Sequence, residues 1–124
     1  MRRGYRLYLE DILTATMKIQ RFIGTIAFEE FLHDDKTYDA VVRNFEIIGE
    51  ASRNIPQEVK DNYPDVDWKK VYLFRNMLAH EYFGIDNQLL WDIIQHRLPE
   101  LRKEIQSILE MDVPCCLSSA LEKK

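Results

Sequence analysis

Residues that cross-link or interrupt a chain are scarce in this sequence. Among its 124 residues, four are glycine, four are proline and two are cysteine. The cysteines, Cys115 and Cys116, are adjacent near the end of the chain, and neighbouring cysteines rarely form a structural disulfide bond. Their spacing suggests no metal site either, so we expect reduced thiols. With 46% hydrophobic and 31% charged residues, the composition is that of a soluble globular protein.

Long apolar runs and an excess of basic charge are also absent. The N-terminal stretch MRRGYRLYLEDIL is basic but has no uninterrupted apolar segment. We therefore predict no signal peptide, no membrane span and a cytoplasmic location. The net charge is −4 and the isoelectric point is about 5.4. Broad, non-specific attraction to nucleic acid normally needs a basic surface, so any binding of RNA must depend on a local basic patch.

Apolar residues recur instead at intervals of three and four, the spacing of amphipathic helices. Four main helices are predicted, with boundaries set by glycine, proline and aspartate. The first ends near Gly24, and the second is closed by Pro56. The third runs from about Trp68 to Phe83 and stops at Gly84. The fourth follows Asp86, which we expect to cap it. No stretch alternates with period two over enough residues to form a strand, and there is no internal repeat.

Smaller features refine this outline. The segment PQEVKDNY predicts a short extra helix, and Asp65 or Asp67 is the expected N-cap of the third main helix. Pro99 lies inside the fourth helical pattern and should kink it or split it in two. The prediction is an all-α fold, a small antiparallel bundle of four main helices plus short helices. Residues 1–111 should form this domain, and residues 112–124, where the periodicity is lost, a flexible tail.

The third predicted helix combines polar and apolar residues in an unusual way. At about 100° per residue, Arg75 and Tyr82 fall about 20° apart, while Asn76 and His80 share a second stripe. The positions between them are apolar over a wider arc than a surface helix needs. Part of that arc can pack on the bundle. The rest suggests a second copy of the chain across a twofold axis, which predicts a symmetric dimer.

The residue types in this helix suit cleavage of RNA without a metal. That reaction needs a base for the 2′-hydroxyl, an acid for the leaving 5′-oxygen and a cation for the charge on phosphorus. Imidazole suits either proton transfer, and guanidinium suits phosphoryl oxygens. One chain offers a single pair, His80 and Arg75. A dimer with its third helices juxtaposed would supply two of each.

The stretch RNMLAHEYFGID resembles the R-x-x-x-x-H-x-Y signature of the HEPN superfamily, and specifically HepT-like ribonuclease toxins of the MntA–HepT type toxin–antitoxin system. The segments YLEDIL, RNFEIIGEASRNIP, YPDVDWKKV and LPELRKEI also resemble family segments in family order. The resemblance covers roughly residues 5 to 110 and leaves the tail outside. It implies a HEPN-like helical bundle that forms a homodimer.

For this chain the resemblance implies a metal-independent endoribonuclease toxin. Arg75 and His80 match the catalytic pair, and Asn76 matches a position that supports the site. Tyr82 matches the tyrosine that a partner, an MntA-like nucleotidyltransferase antitoxin, modifies with AMP. Bulk and negative charge added there should block an RNA phosphate site. No cofactor is implied for the chain itself, since ATP and Mg²⁺ would belong to the antitoxin.

An alternative of a different class remains open. The chain could be a non-catalytic HEPN helical module that docks a nucleotidyltransferase partner or binds nucleotide, a reading that the acidic charge favours. Elsewhere, His33 and His96 are interpreted as solvated. Glu46 and Glu50 are expected to form surface salt bridges with nearby arginines, Arg43 or Arg53. Five basic residues are candidates for an RNA path or an antitoxin interface, with scattered surface charge as the other interpretation: Arg2, Arg3, Arg6, Lys69 and Lys70.

Overall fold

A computed structural model describes residues 2–72 and 86–113 of the chain. The helices are α1 Arg2–Ile23, α2 Phe28–His33, α3 Asp35–Arg53, α4 Gln57–Asn62, α5 from residue 68 and described to residue 72, α6 Asn87–Asp92 and α7 Leu98–Val113. A π-helical turn, Ile93–Arg97, joins α6 directly to α7. Residues 2–72 and 86–113 contain no strand, which confirms the predicted all-α fold.

The helix ends follow local chemistry. Gly24 has a φ of 52°, and its N–H donates to the Gln20 carbonyl at 2.9 Å, which ends α1 where the sequence predicted. The Asp34 carboxylate accepts from the backbone N–H of Thr37 at 3.1 Å and so caps α3. Pro56 lies beyond the end of α3 and is the N-cap residue of α4.

The hydrophobic core lies where α1 packs against α3 and α7. Two hydrogen bonds fix the direction of α7 relative to α1. Arg6 near the start of α1 donates to the carbonyl of Leu109 near the end of α7, at 3.4 Å, and Arg102 donates to Gln20 at 2.5 Å. The two helices are therefore antiparallel. Buried core residues with no exposed surface come from all three helices: Leu9, Ile12, Ile19, Val41, Phe45, Ile48, Leu98, Leu101 and Ile105.

Pro99 does not break the fourth helical region. The π-helical turn immediately before it carries a bond from the N–H of Leu98 to the carbonyl of Ile93, five residues back. Proline has no N–H to donate, and in a regular α-helix its ring clashes with the carbonyl four residues earlier. The wider π-helical turn separates the ring from that carbonyl. The sequence predicted a kink or a split at Pro99, and the structure has the pattern divided into α6 and α7 by this turn, through which the helical backbone continues. The turn also keeps Leu90, Ile94 and Leu98 on the buried side.

Charged residues on the outer surface form the salt bridges that the sequence predicted. Arg43 pairs with Glu46 at 4.0 Å, and Arg53 pairs with Glu50 at 3.8 Å, as expected for neighbours on an exposed helix face. His33 and His96 are exposed. Across the two described ranges, no helix combines the length and apolarity that crossing a membrane requires.

Candidate functional site

The predicted site residues Arg75, Asn76, His80 and Tyr82 lie outside the described residues, as does Gly84. The structure does describe both points at which the segment 73–85, here called the signature segment, joins the bundle. One is the start of α5 and the other is the start of α6.

The start of α5 is fixed by a cap and by a buried indole. The Asp67 carboxylate accepts from the N–H of Lys70 at 3.2 Å, so Asp67 rather than Asp65 is the N-cap. The indole N–H of Trp68 donates to the carbonyl of Tyr63 at 3.1 Å, and its side chain is only 8% exposed. Val71, one turn on, is fully buried. The first turn of α5 is therefore anchored in the core before the signature segment begins.

The start of α6 is fixed by a second cap and by aromatic contacts. The Asp86 carboxylate accepts from the N–H of Leu89 at 3.1 Å, which confirms the predicted cap. The next residue, Asn87, accepts a hydrogen bond from the hydroxyl of Tyr38 on α3. Burial raises the pKa of this hydroxyl, because the phenolate would lose hydration, and it remains a neutral donor.

Tyr38 belongs to an aromatic cluster that links α2, α3 and α6. The ring centroid of Phe31 lies 5.1 Å from that of Tyr38 and 5.3 Å from that of Trp91, and Phe28 lies 5.5 Å from Trp91. These separations are typical of favourable aromatic pairs. The cluster holds α6 against α2 and α3.

Sequence reasoning missed one carboxylate near the start of α5. Glu104 on α7 has a buried Oε1 with no hydrogen bond in the described part of the chain, and only an Arg97 nitrogen approaches it, at 3.8 Å. Burial raises the pKa of Glu104, Arg97 opposes the shift, and nearby carboxylates including Asp65 and Asp67 add to it. Arg97 itself pairs more closely with Glu100, at 2.9 Å. The helical period alone gave no signal for the burial of this oxygen.

A groove of about 450 Å³ opens between α4 and the start of α5. Its lining residues are Gln57, Lys60, Asp61, Pro64, Val66, Trp68, Lys69 and Tyr72. Of the basic residues singled out from the sequence, Lys69 lines this groove, whereas Arg6 pairs with Glu10 at 3.4 Å. Residues 2–72 and 86–113 include no group of three His, Cys, Asp or Glu side chains placed to hold a metal ion.

A family model described as "Ribonuclease HepT-like" matches residues 12–108, a range that includes the whole signature segment. The chain belongs to the HepT-like family. This confirms the resemblance drawn from the sequence. The match ends before the cysteine-containing tail, and the individual roles of Arg75, Asn76, His80 and Tyr82 stay predictions.

Relatives of this HepT-like chain align over most of their length. "Probable ribonuclease HepT" of Thermococcus cleftensis is 42% identical over 108 residues, 87% of this chain and 98% of the relative. A protein of Methanocaldococcus jannaschii, named provisionally as an RNase, is 40% identical over 88% of this chain and 90% of its own. One of Caldanaerobacter subterraneus, named in the same way, is 38% identical over 86% and 96%. No solved structure gives a significant match.

Proposed function

We propose that this HepT-like chain is an endoribonuclease toxin that cleaves RNA without a metal ion. The observation that carries the proposal is the family match across residues 12–108, which contains the Arg75–His80 pair and Tyr82 in the expected spacing. Relatives named as ribonucleases align with this chain over nearly their full length. Because this chain shares its whole matched domain with these relatives, endonuclease activity is the simplest function that fits the sequence.

The chemistry we propose is an internal transesterification. A base removes the proton from the 2′-hydroxyl, the 2′-oxygen attacks phosphorus, and the bond to the 5′-oxygen breaks as an acid protonates that oxygen. The products are a 2′,3′-cyclic phosphate and a 5′-hydroxyl. His80 serves as the proton-transfer residue and Arg75 stabilises the charge on the phosphoryl oxygens. Asn76 supports the site. In a symmetric homodimer the partner subunit's histidine takes the second proton-transfer role.

We further propose that a nucleotidyltransferase antitoxin of the MntA type silences the enzyme by attaching AMP to Tyr82. The tyrosine lies two residues after His80, so the added group brings a negative charge close to the residue that must approach an RNA phosphate. ATP and Mg²⁺ serve the antitoxin. The proposed setting for both proteins is the cytoplasm.

The test is cleavage of a single-stranded RNA by the purified, unmodified protein in excess EDTA. We expect cutting that leaves cyclic phosphate ends, and we expect His80→Ala to abolish it. His96→Ala is the matched control, because His96 is an exposed histidine of the π-helical turn. Cutting that survives in folded His80→Ala protein would remove His80 from the mechanism. Loss of cutting on adding EDTA to the wild type would refute metal independence.

The net charge of −4 favours a second candidate, a non-catalytic module that docks the nucleotidyltransferase or binds nucleotide. This module would give no cleavage from an unmodified dimer but a stable complex with the partner. Intact-mass spectrometry of the chain, produced together with a candidate antitoxin, tests the regulatory part separately. A gain of AMP that maps to Tyr82 supports the toxin proposal, and AMP found only on another residue contradicts it.

A further inference from the structure

The groove between α4 and α5 differs in charge from the chain as a whole. Its lining holds two ammonium groups, those of Lys60 and Lys69, and one carboxylate, that of Asp61, in a chain whose net charge is −4. The Asp61 carboxylate already accepts a hydrogen bond from the Gln57 amide at 2.9 Å. Within the described ranges neither lysine forms an ion pair.

Aromatic side chains complete the groove. Trp68 is almost fully buried and its N–H is occupied by the Tyr63 carbonyl, so the indole forms a wall of the groove rather than a donor to a ligand. Tyr72 lines the groove as well and is half-buried, which leaves part of its side chain accessible. A groove with an accessible aromatic ring and lysines that form no ion pair within the described ranges has the two components with which proteins hold single-stranded nucleic acid, namely phosphate contacts and base stacking.

The groove also lies next to the predicted reaction centre along the chain. Three peptide bonds separate Tyr72 from Arg75, so their Cα atoms are at most about 11 Å apart whatever the backbone conformation between them. An RNA strand that places a phosphate at Arg75 therefore has neighbouring nucleotides within reach of the groove. Lysine is a point charge and stacking tolerates every base, so contacts in the groove would be independent of sequence.

We propose that this groove binds a nucleotide of single-stranded RNA that flanks the scissile linkage. Lys60 and Lys69 bind its phosphates, and Tyr72 stacks on its base. The inference rests on the proposed function for the identity of the strand, and it assigns the groove to substrate binding rather than to bond cleavage. It also supplies the local basic patch that an acidic RNA-binding chain requires.

The test measures RNA binding in the absence of cleavage. Full-length protein with His80→Ala is titrated against a fluorescent single-stranded RNA of about 12 nucleotides, and anisotropy gives Kd at several salt concentrations. Adding Lys60→Gln and Lys69→Gln removes two phosphate contacts. The slope of log K against log salt concentration should then fall by about 1.4, that is 0.7 per phosphate contact.

Two further variants separate charge position from charge number. Lys18→Gln with Lys36→Gln removes the same net charge from exposed lysines that do not line the groove, and the slope should stay within about 0.4 of the parent. Lys60→Arg with Lys69→Arg keeps the charges and should keep the affinity. Circular dichroism confirms that each variant is folded. Equal losses in the two glutamine pairs, or no loss in either, would overturn the proposal.

Tyr72 gives an independent readout. Tyr72→Phe keeps a ring and should bind with nearly unchanged affinity, whereas Tyr72→Leu should weaken binding by about 5-fold or more through lost stacking. Equal affinities for the two variants would contradict the stacking role.

The outcomes for the groove and for catalysis are distinguishable. If the wild type cuts RNA in EDTA but the lysine variant binds normally, the groove inference fails and the proposed function stands. If the wild type does not cut RNA but the Lys60→Gln and Lys69→Gln variant alone loses RNA binding, the proposed catalysis is refuted and the groove inference stands. A lysine variant that binds RNA normally yet loses a nucleotidyltransferase complex would reassign the groove to protein docking.

Discussion

Replacing Asp67 tests how the first turn of α5 is held. Its carboxylate caps the N–H of Lys70 at 3.2 Å, while its own carbonyl accepts from Val71 at 3.1 Å. Asp67→Ala removes the first interaction and leaves the second. Loss of an N-cap typically lowers the free energy of unfolding by about 1 kcal/mol. For a domain of this size we expect the Tm to fall by roughly 3–6 °C.

Asp65→Ala is the matched control for this substitution. Asp65 is also exposed, carries the same charge and adds in the same direction to the raised pKa of Glu104, so relief of that repulsion contributes to both variants. It is not the cap. Asp67→Asn should recover most of the lost stability, because asparagine is an equally good N-cap.

Urea unfolding followed by circular dichroism measures these differences. All variants are compared at one protein concentration, since any dimer makes apparent stability depend on concentration. We expect Asp67→Ala to be less stable than Asp65→Ala by about 1 kcal/mol. Equal stabilities of these two variants, or failure of Asp67→Asn to recover, would refute the assignment of the cap and with it our account of how α5 begins.

Two other substitutions test the packing around α7 and α3. Ionised Glu104 opposes folding above its raised pKa, so Glu104→Gln should stabilise the protein near pH 7, with a gain that shrinks as the pH falls through that pKa to the ordinary value of 4.5. Urea unfolding of both proteins across this pH range measures the gain in the free energy of unfolding. A gain that grows as the pH falls would contradict the argument that burial raises the pKa of Glu104. Phe45→Ala empties a fully buried site and should cost about 3–5 kcal/mol in the same assay. A loss under about 1 kcal/mol would mean that Phe45 is not in the core.

The helix boundaries were predictable wherever a single residue decides them. Gly24 ends α1 with a left-handed φ of 52°, and Asp86 caps α6, both because short-range backbone chemistry acts within one turn. The residue that caps α5 could not be chosen from the sequence. Asp65 and Asp67 are equally good caps, and only the hydrogen bond from Lys70 distinguishes them.

Features built from distant parts of the chain were not predictable from periodicity. Lys60 and Lys69 share a groove because α4 packs beside α5, and although Lys69 was singled out from the sequence, no pattern there joined it to Lys60. The contact between Tyr38 and Asn87 joins residues 49 positions apart. The prediction for Arg75 and His80 depends instead on residue type and spacing, which can be read from the sequence whatever the packing around them.

The number of residues in the π-helical turn before Pro99 determines which side chains of α7 face the core. Leu90 and Leu98 are both fully buried although eight residues of regular α-helix would rotate them about 80° apart. A turn that absorbs roughly one additional residue reduces this offset to about 20°. Converting this turn to a regular α-helical turn without removing a residue would therefore rotate Leu101 and Ile105 by about 100° relative to α1. A HepT-like chain with a regular helix at this point needs either one residue fewer or a differently arranged apolar stripe beyond it.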